Sequence, residues 1–398
     1  MKQTLTVINR ILAGRALRSF ADGFIAVVLP AYLLALGMGQ LEVGFISTAT
    51  LLGSAFTTLA VGRWGHRFSI RRLLLAAALL MAATGLGFAG LSTFWPLLLV
   101  ALVGTLNPSS GDASLFMPLD HTMLATASDR TAVFARYSFL GSISGAVGAL
   151  ASGLPEWLGA SVSMLDGLRL MFLLYAAVGI VVWLLYLRLP DPRTEEQKPA
   201  APLGPSRGIV WRLAALFSVD SFAGGLVLNS LLALWLFERF GMSLGAAGAF
   251  FFWTGLLSAC SQLAAAPLAR RIGMINTMVF THIPASLCLI GAALASSMEV
   301  TLGLLLARSL LSQMDVPARG AFVMTVVTPA ERPAAASFTA VPRSLAAALS
   351  PSLTGAMFAA GAMAAPLVAC GVLKIAYDLA LFAAFRRVEA RTQAMESI

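Results

Sequence analysis

The sequence predicts an all-α membrane protein of twelve transmembrane helices, arranged as two pseudo-symmetric six-helix bundles. Three observations lead there. Of 398 residues, 59% are hydrophobic and only 11% charged, whereas a soluble domain carries about 25% charged residues. Twelve segments are apolar over about the 20 residues that a helix needs to cross a bilayer. In lipid such segments must be helical, because each has to satisfy its own backbone hydrogen bonds. Finally, short motifs of the first half recur in order in the second.

Span one is expected over Leu17–Gly37, with Arg18 and Asp22 near its start and Pro30 midway. Span two, Leu41–Gly62, runs into the basic loop Arg63–Arg72, and span three follows over Leu73–Leu91. Span four, Trp95–Leu119, holds Asn107, Pro108 and Asp112. The loop Asp120–Arg130 leads to a glycine-rich span five, Ala132–Leu154, and span six covers Gly167–Leu189. The stretch Pro190–Gly208 is rich in proline and charge and lacks apolar periodicity. It reads as a flexible linker, dividing the chain into bundles at 1–189 and 209–398. Span seven, Trp211–Leu236, carries Asp220, and span eight, Leu244–Ala266, ends before Arg270 and Arg271. Span nine, Thr277–Ser296, carries His282, and span ten, Val300–Thr328, carries Arg308, Gln313, Asp315, Pro317 and Arg319. Span eleven, Ala334–Gly361, contains Arg343, and span twelve, Met363–Phe385, contains Lys374 and Asp378.

Gly37-Met38 recurs as Gly241-Met242, His66-Arg67 as Arg270-Arg271, and Ser128–Ala132 (SDRTA) as Ala330–Ala334 (AERPA). Each echo falls at the equivalent loop of its half. The net charge of +9 does not indicate nucleic acid, because there is no soluble face to carry a basic patch. Most of the basic residues fall in the termini and alternate loops, and the opposite loops hold only Arg169 and Arg239. That asymmetry places both termini in the cytoplasm of a cell inner membrane. The N-terminus lacks a short apolar run with a cleavage site, so no removable signal peptide is expected. Cys260, Cys288 and Cys370 are scattered within spans and read as packing residues.

Six plus six spans, a central linker and a basic loop after span two resemble the major facilitator superfamily. That family's loop motif reads Gly-x-Leu-Ala-Asp-Arg-x-Gly-Arg-Lys/Arg. Here the loop is GRWGHRFSIRR, in which Gly62, Arg67, Arg71 and Arg72 fit, His66 stands for Asp, and Ser69 stands for Gly. The second copy, APLARRIGMIN, keeps Leu268, Ala269, Arg271 and Gly273 but has Arg270 in the Asp place. The resemblance implies halves related by an axis along the membrane normal, with a substrate site between them near the midplane. Spans one, four, seven and ten would line it. The family's carboxylate lock on a helix N-terminus is altered, since Arg is repelled there while a neutral His66 retains an acceptor. In span five, Gly141, Gly145, Gly148 and Gly153 precede Pro155. They approximate an antiporter motif, and close helix packing accounts for them equally well.

Ionisable groups at membrane depth cost about 2.5–3.5 kcal/mol on insertion scales and mark pathways or pairs. Asp22, Asn107, Asp112, Asp220, Arg308, Gln313, Asp315 and Arg319 are the candidates for a substrate or proton pathway. Proline and polar interruptions in spans four and ten point the same way. Gating or structural pairs are expected from Arg18, Arg136, Arg343, His66, Arg67, Arg270 and Arg271. Arg18 with Asp22, Asp315 with Arg319, and Lys374 with Asp378 are four apart and share helix faces; Arg136 is placed to meet Asp112, and Arg343 to meet Asp315. His282 lacks clustered partners, so no metal site is expected, nor is any enzymatic or nucleotide motif present. No cofactor is expected. The functional expectation is a monomeric secondary transporter that exports a small organic compound by proton-coupled alternating access. The alternatives are transport of an anion held by intramembrane arginines, or a receptor or assembly role without flux.

Overall fold

The computed structural model describes residues 2–109, 115–124, 130–159, 162–191, 204–328 and 331–396. Among them all regular structure is helical. The first half contributes α1 (Lys2–Ala35), α2 (Gln40–Trp64), α3 (Ile70–Gly90), α4 (Phe94–Val103), α5 (Phe116–Leu124), α6 (Arg130–Ala151), α7 (Leu154–Leu158) and α8 (Met164–Tyr186). The second contributes α9 (Arg207–Gly225), α10 (Asn229–Phe240), α11 (Leu244–Ile272), α12 (Met274–Leu294), α13 (Met298–Leu311), α14 (Asp315–Val326), α15 (Arg332–Ala359) and α16 (Ala365–Glu396). Nine helical stretches among the described residues are long and apolar enough to cross a bilayer, and Phe94–Val103 is a shorter apolar one. The protein is thus a multi-pass α-helical membrane protein.

Expected spans and observed helices differ where backbone chemistry intervenes. α1 begins at Lys2, well ahead of the expected Leu17, and passes through Pro30 unbroken. Span four is interrupted after Val103, where Asn107 Oδ1 accepts from Ser109 N at 3.2 Å and Ser109 Oγ at 2.7 Å. This side chain competes with the helix for backbone donors. Span ten breaks between Leu311 and Asp315, beside Gln313. Pro317 falls in the first turn of α14, where its missing N–H costs nothing. Span seven also breaks, between Gly225 and Asn229, without any proline to announce it.

The repeated Gly-Met pair has a shared backbone role. Gly37 closes the turn after α1 with φ +82° and Gly241 caps α10 with φ +61°. Only glycine enters this left-handed region without steric penalty, so the two halves end equivalent spans in one way.

The chain forms two compact units. One comprises Met1–Gln197, Leu228–Trp253 and Pro351–Gly361. Within it α1 packs on α6 and α8, and α3 on α8. Phe88 stacks on Phe172 with ring centroids 5.1 Å apart, and Tyr32 lies 4.7 Å from Phe172. The Tyr32 hydroxyl donates to the Phe88 carbonyl at 2.5 Å and Leu91 carbonyl at 3.1 Å, satisfying the end of α3. Gly23 and Gly148 lie where a Cβ would collide with the carbonyls of Gly145 and Phe20. The glycines of span five therefore serve close helix packing. The α10–α11 turn joins this unit through Glu156 on α7, whose carboxylate accepts from Leu244 N at 2.6 Å and Gly245 N at 2.9 Å. Ser243 Oγ accepts from Ala246 N at 3.2 Å, so the first turn of α11 has its otherwise orphaned donors satisfied.

The other unit comprises Lys198–Val227, Thr254–Ser350 and Ala362–Ile398. Its core gathers Phe217, Met278, Phe322, Tyr377, Leu381 and Phe385, with α12 packed on α13 and α16. Glu331 ties the end of the linker segment to this unit. Its carboxylate accepts from Ser206 Oγ at 2.6 Å, from Thr328 Oγ1 at 2.6 Å and from Gly204 N. These hydrogen bonds hold the Glu331 carboxyl well below its ordinary range, at about 2.

Candidate functional site

Each unit buries a polar cluster, the first reaching from span one to neighbouring helices and the second from spans seven and ten to spans nine and twelve. In the first, Arg18 lies on α1 with 4% exposure, and Asp120 on α5 is fully buried. Arg18 Nη2 pairs with Asp120 Oδ2, Arg18 Nη1 donates to the Tyr186 hydroxyl, and Tyr137 OH donates to Asp120 Oδ2 at 2.8 Å. The guanidinium also lies 4.1 Å from the Phe116 ring centroid, and Arg15 lies 4.8 Å from that of Tyr137. The expected Arg18–Asp22 ion pair is therefore replaced by Arg18–Asp120. A guanidinium reaches across to the neighbouring helix and meets several planar or anionic partners there.

Asp22 stands one turn further along α1 and is partly accessible. The charges of Arg15 and then Arg18 act on it, and Asn107 hydrogen-bonds its side chain. Asn107 itself is buried, and Pro108 O accepts from Ser230 N at 3.1 Å. The break in span four is thus joined to the start of α10, with Asp22 next to it. Tyr175 borders the same region, its hydroxyl donating to the Thr105 carbonyl at 3.1 Å.

The second unit holds a longer cluster. Asp220 on α9 accepts from Arg319 Nη1 at 2.7 Å on Oδ2 and from Lys374 Nζ at 2.6 Å on Oδ1. Arg319 Nη2 also pairs with Asp315 Oδ2 at 3.2 Å, as its four-residue spacing predicted. Lys374 Nζ lies 3.2 Å from His282 Nε2, and His282 Nδ1 lies 3.0 Å from Asp378. The expected local Lys374–Asp378 pair does not form, because each residue finds a closer partner on another helix. Likewise Arg343 Nε donates to Ser221 Oγ at 3.2 Å, and Asp315 takes Arg319 in its place. The two units thus share a feature with signs exchanged. In the first the cation is on α1 and the carboxylate on α5; in the second the carboxylate is on α9 and the cation on α14.

The remaining predicted residues divide as follows. Arg308 and Gln313 are partly buried, and Arg308 has no carboxylate partner among the described residues; Cys370 and Cys288 are the groups acting on it. Arg136, Arg67, Arg270 and Arg271 are exposed. The expected partner of Arg136, Asp112, lies outside the described residues, as does the side chain of His66. Arg71 donates to the Leu187 carbonyl at 2.5 Å, and Arg10 to that of Arg188. These basic side chains cap the end of α8. Sequence reasoning missed Asp120, Tyr137, Tyr186, Lys374, His282 and Asp378 as members of shared clusters. Their signal was present as intramembrane charge, but helix rotation decides which charges meet. No group of three metal-ligating side chains occurs among the described residues.

Comparison with known proteins agrees with this architecture. The sequence pattern of the Major Facilitator Superfamily matches residues 11–314. An uncharacterized membrane protein of Saccharomyces cerevisiae, YJR124C, is 23% identical over 425 residues, covering 96% of this chain and 95% of that one. A bacterial homologue of the human lysosomal transporter Spinster, crystallised inward-facing and unoccupied, superposes with TM-score 0.73 at 16% identity, covering 98% of this chain and 97% of that one. The nucleoside transporter NupG gives TM-score 0.73 at 15% identity, covering 96% and 99%. The human organic anion transporter MFSD10 gives 0.64 at 17%, covering 95% and 99%. At these identities the structural likenesses show the fold.

Proposed function

Because the chain belongs to the Major Facilitator Superfamily, we propose that it is a proton-coupled secondary transporter exporting a small organic compound by alternating access. The bundles at 1–189 and 209–398 rock about a site lined by spans one, four, seven and ten, in a monomer with both termini on the cytoplasmic side of the inner membrane. The observation that carries this reading is Asp22. It is a partly accessible carboxylate on α1, hydrogen-bonded by Asn107 at the interruption of span four. Arg18, the cation four residues away, pairs with Asp120, and the charges of Arg15 and Arg18 both act on Asp22. An intramembrane carboxylate in such a place is suited to bind and release a proton, and interrupted helices beside polar groups are where transporters hold substrate. The predominantly apolar composition of these spans supports an amphipathic organic substrate.

The test uses purified protein in liposomes carrying an imposed pH gradient, with ethidium as the amphipathic probe. Gradient-driven ethidium flux is expected in the wild type and is expected to fall at least about tenfold in Asp22→Asn, which keeps the hydrogen bond but not the titration. Undiminished flux in Asp22→Asn removes Asp22 from the role. Absence of gradient dependence in the wild type overturns proton coupling itself.

A further inference from the structure

The His282 cluster contains a hydrogen-bonding constraint that fixes where protons sit. An ammonium group has only donors, so Lys374 Nζ, 3.2 Å from His282 Nε2, requires a bare lone pair on that nitrogen. The ring proton is then on Nδ1, donating to Asp378 at 3.0 Å. With the ring neutral, the carboxylates Asp220, Asp315 and Asp378 match the cations Arg319, Arg343 and Lys374 in number.

We propose that His282 is a second proton-binding site, and that its protonation exchanges the cation held by Asp220. A proton taken up on the Nε2 lone pair turns that nitrogen into a donor facing the Lys374 ammonium, two like charges that cannot share the contact. Lys374 withdraws with all its protons, and the new Nε2–H has Asp220 Oδ1, now 3.9 Å away, as its acceptor. Asp220 keeps Arg319 throughout. Of the two groups touching the His282 ring, Lys374 is the more open, its side chain 12% exposed against 0% for Asp378 and 4% for the ring itself, so proton entry and lysine movement use one route.

The groups facing this event are Asp220 on α9, Asp315 and Arg319 on α14, Arg343 on α15, and Lys374, Tyr377 and Asp378 on α16. Arg308 on α13 stands near Cys370, one turn from Lys374. Proton gain at Asp378 or at Asp315 would not displace Lys374, because neither contacts it. The inference deepens the proton-coupled reading by adding a second site, but its test does not depend on transport.

The measurement is nitrogen NMR of the imidazole in full-length His66→Gln/His121→Gln protein, which leaves His282 as the only histidine, followed from about pH 8 to about pH 5. The expected result is a neutral ring protonated on Nδ1 at the alkaline end and a doubly protonated ring at the acid end. Lys374→Met, in which nothing requires a bare Nε2, is expected to show the doubly protonated ring at a pH where the parent shows one proton, with the curve displaced by at least about one pH unit. His282→Gln, whose amide can accept from Lys374 and donate to Asp378, is the folding control and should retain thermal stability. A neutral proton on Nε2, a ring that takes up no proton across the range, or coincident curves for Lys374→Met and parent would overturn the proposal. Failure of gradient-driven flux in the wild type would overturn proton coupling and leave this site standing.

Discussion

Gly148→Leu is expected to prevent accumulation of folded protein. A Cβ at position 148 would lie far inside van der Waals contact of the Phe20 carbonyl on α1, and Gly23 faces the Gly145 carbonyl in the same way. The opposing atoms belong to backbone, which cannot rotate aside. Overpacking a well-filled contact costs about 1–3 kcal/mol and occasionally more; with both walls rigid, a value at or above about 3 kcal/mol is expected for leucine. Gly303→Ala provides the comparison, since a Cβ there meets nothing within 4 Å. The check is size-exclusion yield and thermal unfolding in detergent, with Gly148→Ala as the graded intermediate. Equal melting of Gly148→Ala and Gly303→Ala would show that the contact between α1 and α6 is not tight.

Arg18→Met alone should destabilise the protein more than Arg18→Met combined with Asp120→Leu. Both partners are buried, Arg18 at 4% and Asp120 at 0% exposure, so removing the cation leaves a carboxylate in low dielectric with Tyr137 as its remaining hydrogen-bond donor. Breaking a buried pair on one side costs about 3–5 kcal/mol, whereas replacing both partners by apolar groups is often near neutral. Chemical unfolding of the single and double variants measures the difference. A double variant as unstable as the single would mean that Arg18 acts through packing on Phe116 and Tyr186, not through charge.

The membrane made the spans legible. Length and apolar composition are imposed by the bilayer, and the repeated Gly-Met pair recorded a repeated backbone conformation at Gly37 and Gly241. The pairing of charges was less legible. Spacing of four residues correctly joined Asp315 to Arg319, but Arg18 chose Asp120 over Asp22 and Lys374 chose Asp220 over Asp378. Spacing reports which side chains share a helix face. It does not report what the neighbouring helix presents to that face, and in a low-dielectric interior a cross-helix partner with better geometry wins. The break in span seven was hidden for a related reason. Gly224 and Gly225 permit it, but the turn is fixed by contacts made elsewhere, such as the Pro108 carbonyl accepting from Ser230 N.

Glu156 fastens the α10–α11 turn through main-chain amides alone, so the side chain at 244 does not enter the fastening. Leu244→Pro fits the first helical position sterically yet deletes one of the two donors. At 245 the glycine itself matters, since a Cβ there would lie 2.9 Å from the Glu156 carboxylate oxygen and press on the clasp. The clasp therefore depends on the acid and on the small residue it grips. Glu156→Gln, which gives up the carboxylate's attraction to the helix start, about 0.3–1 kcal/mol, should hasten hydrogen exchange at the Leu244 and Gly245 amides while neighbouring turns of α11 keep their protection.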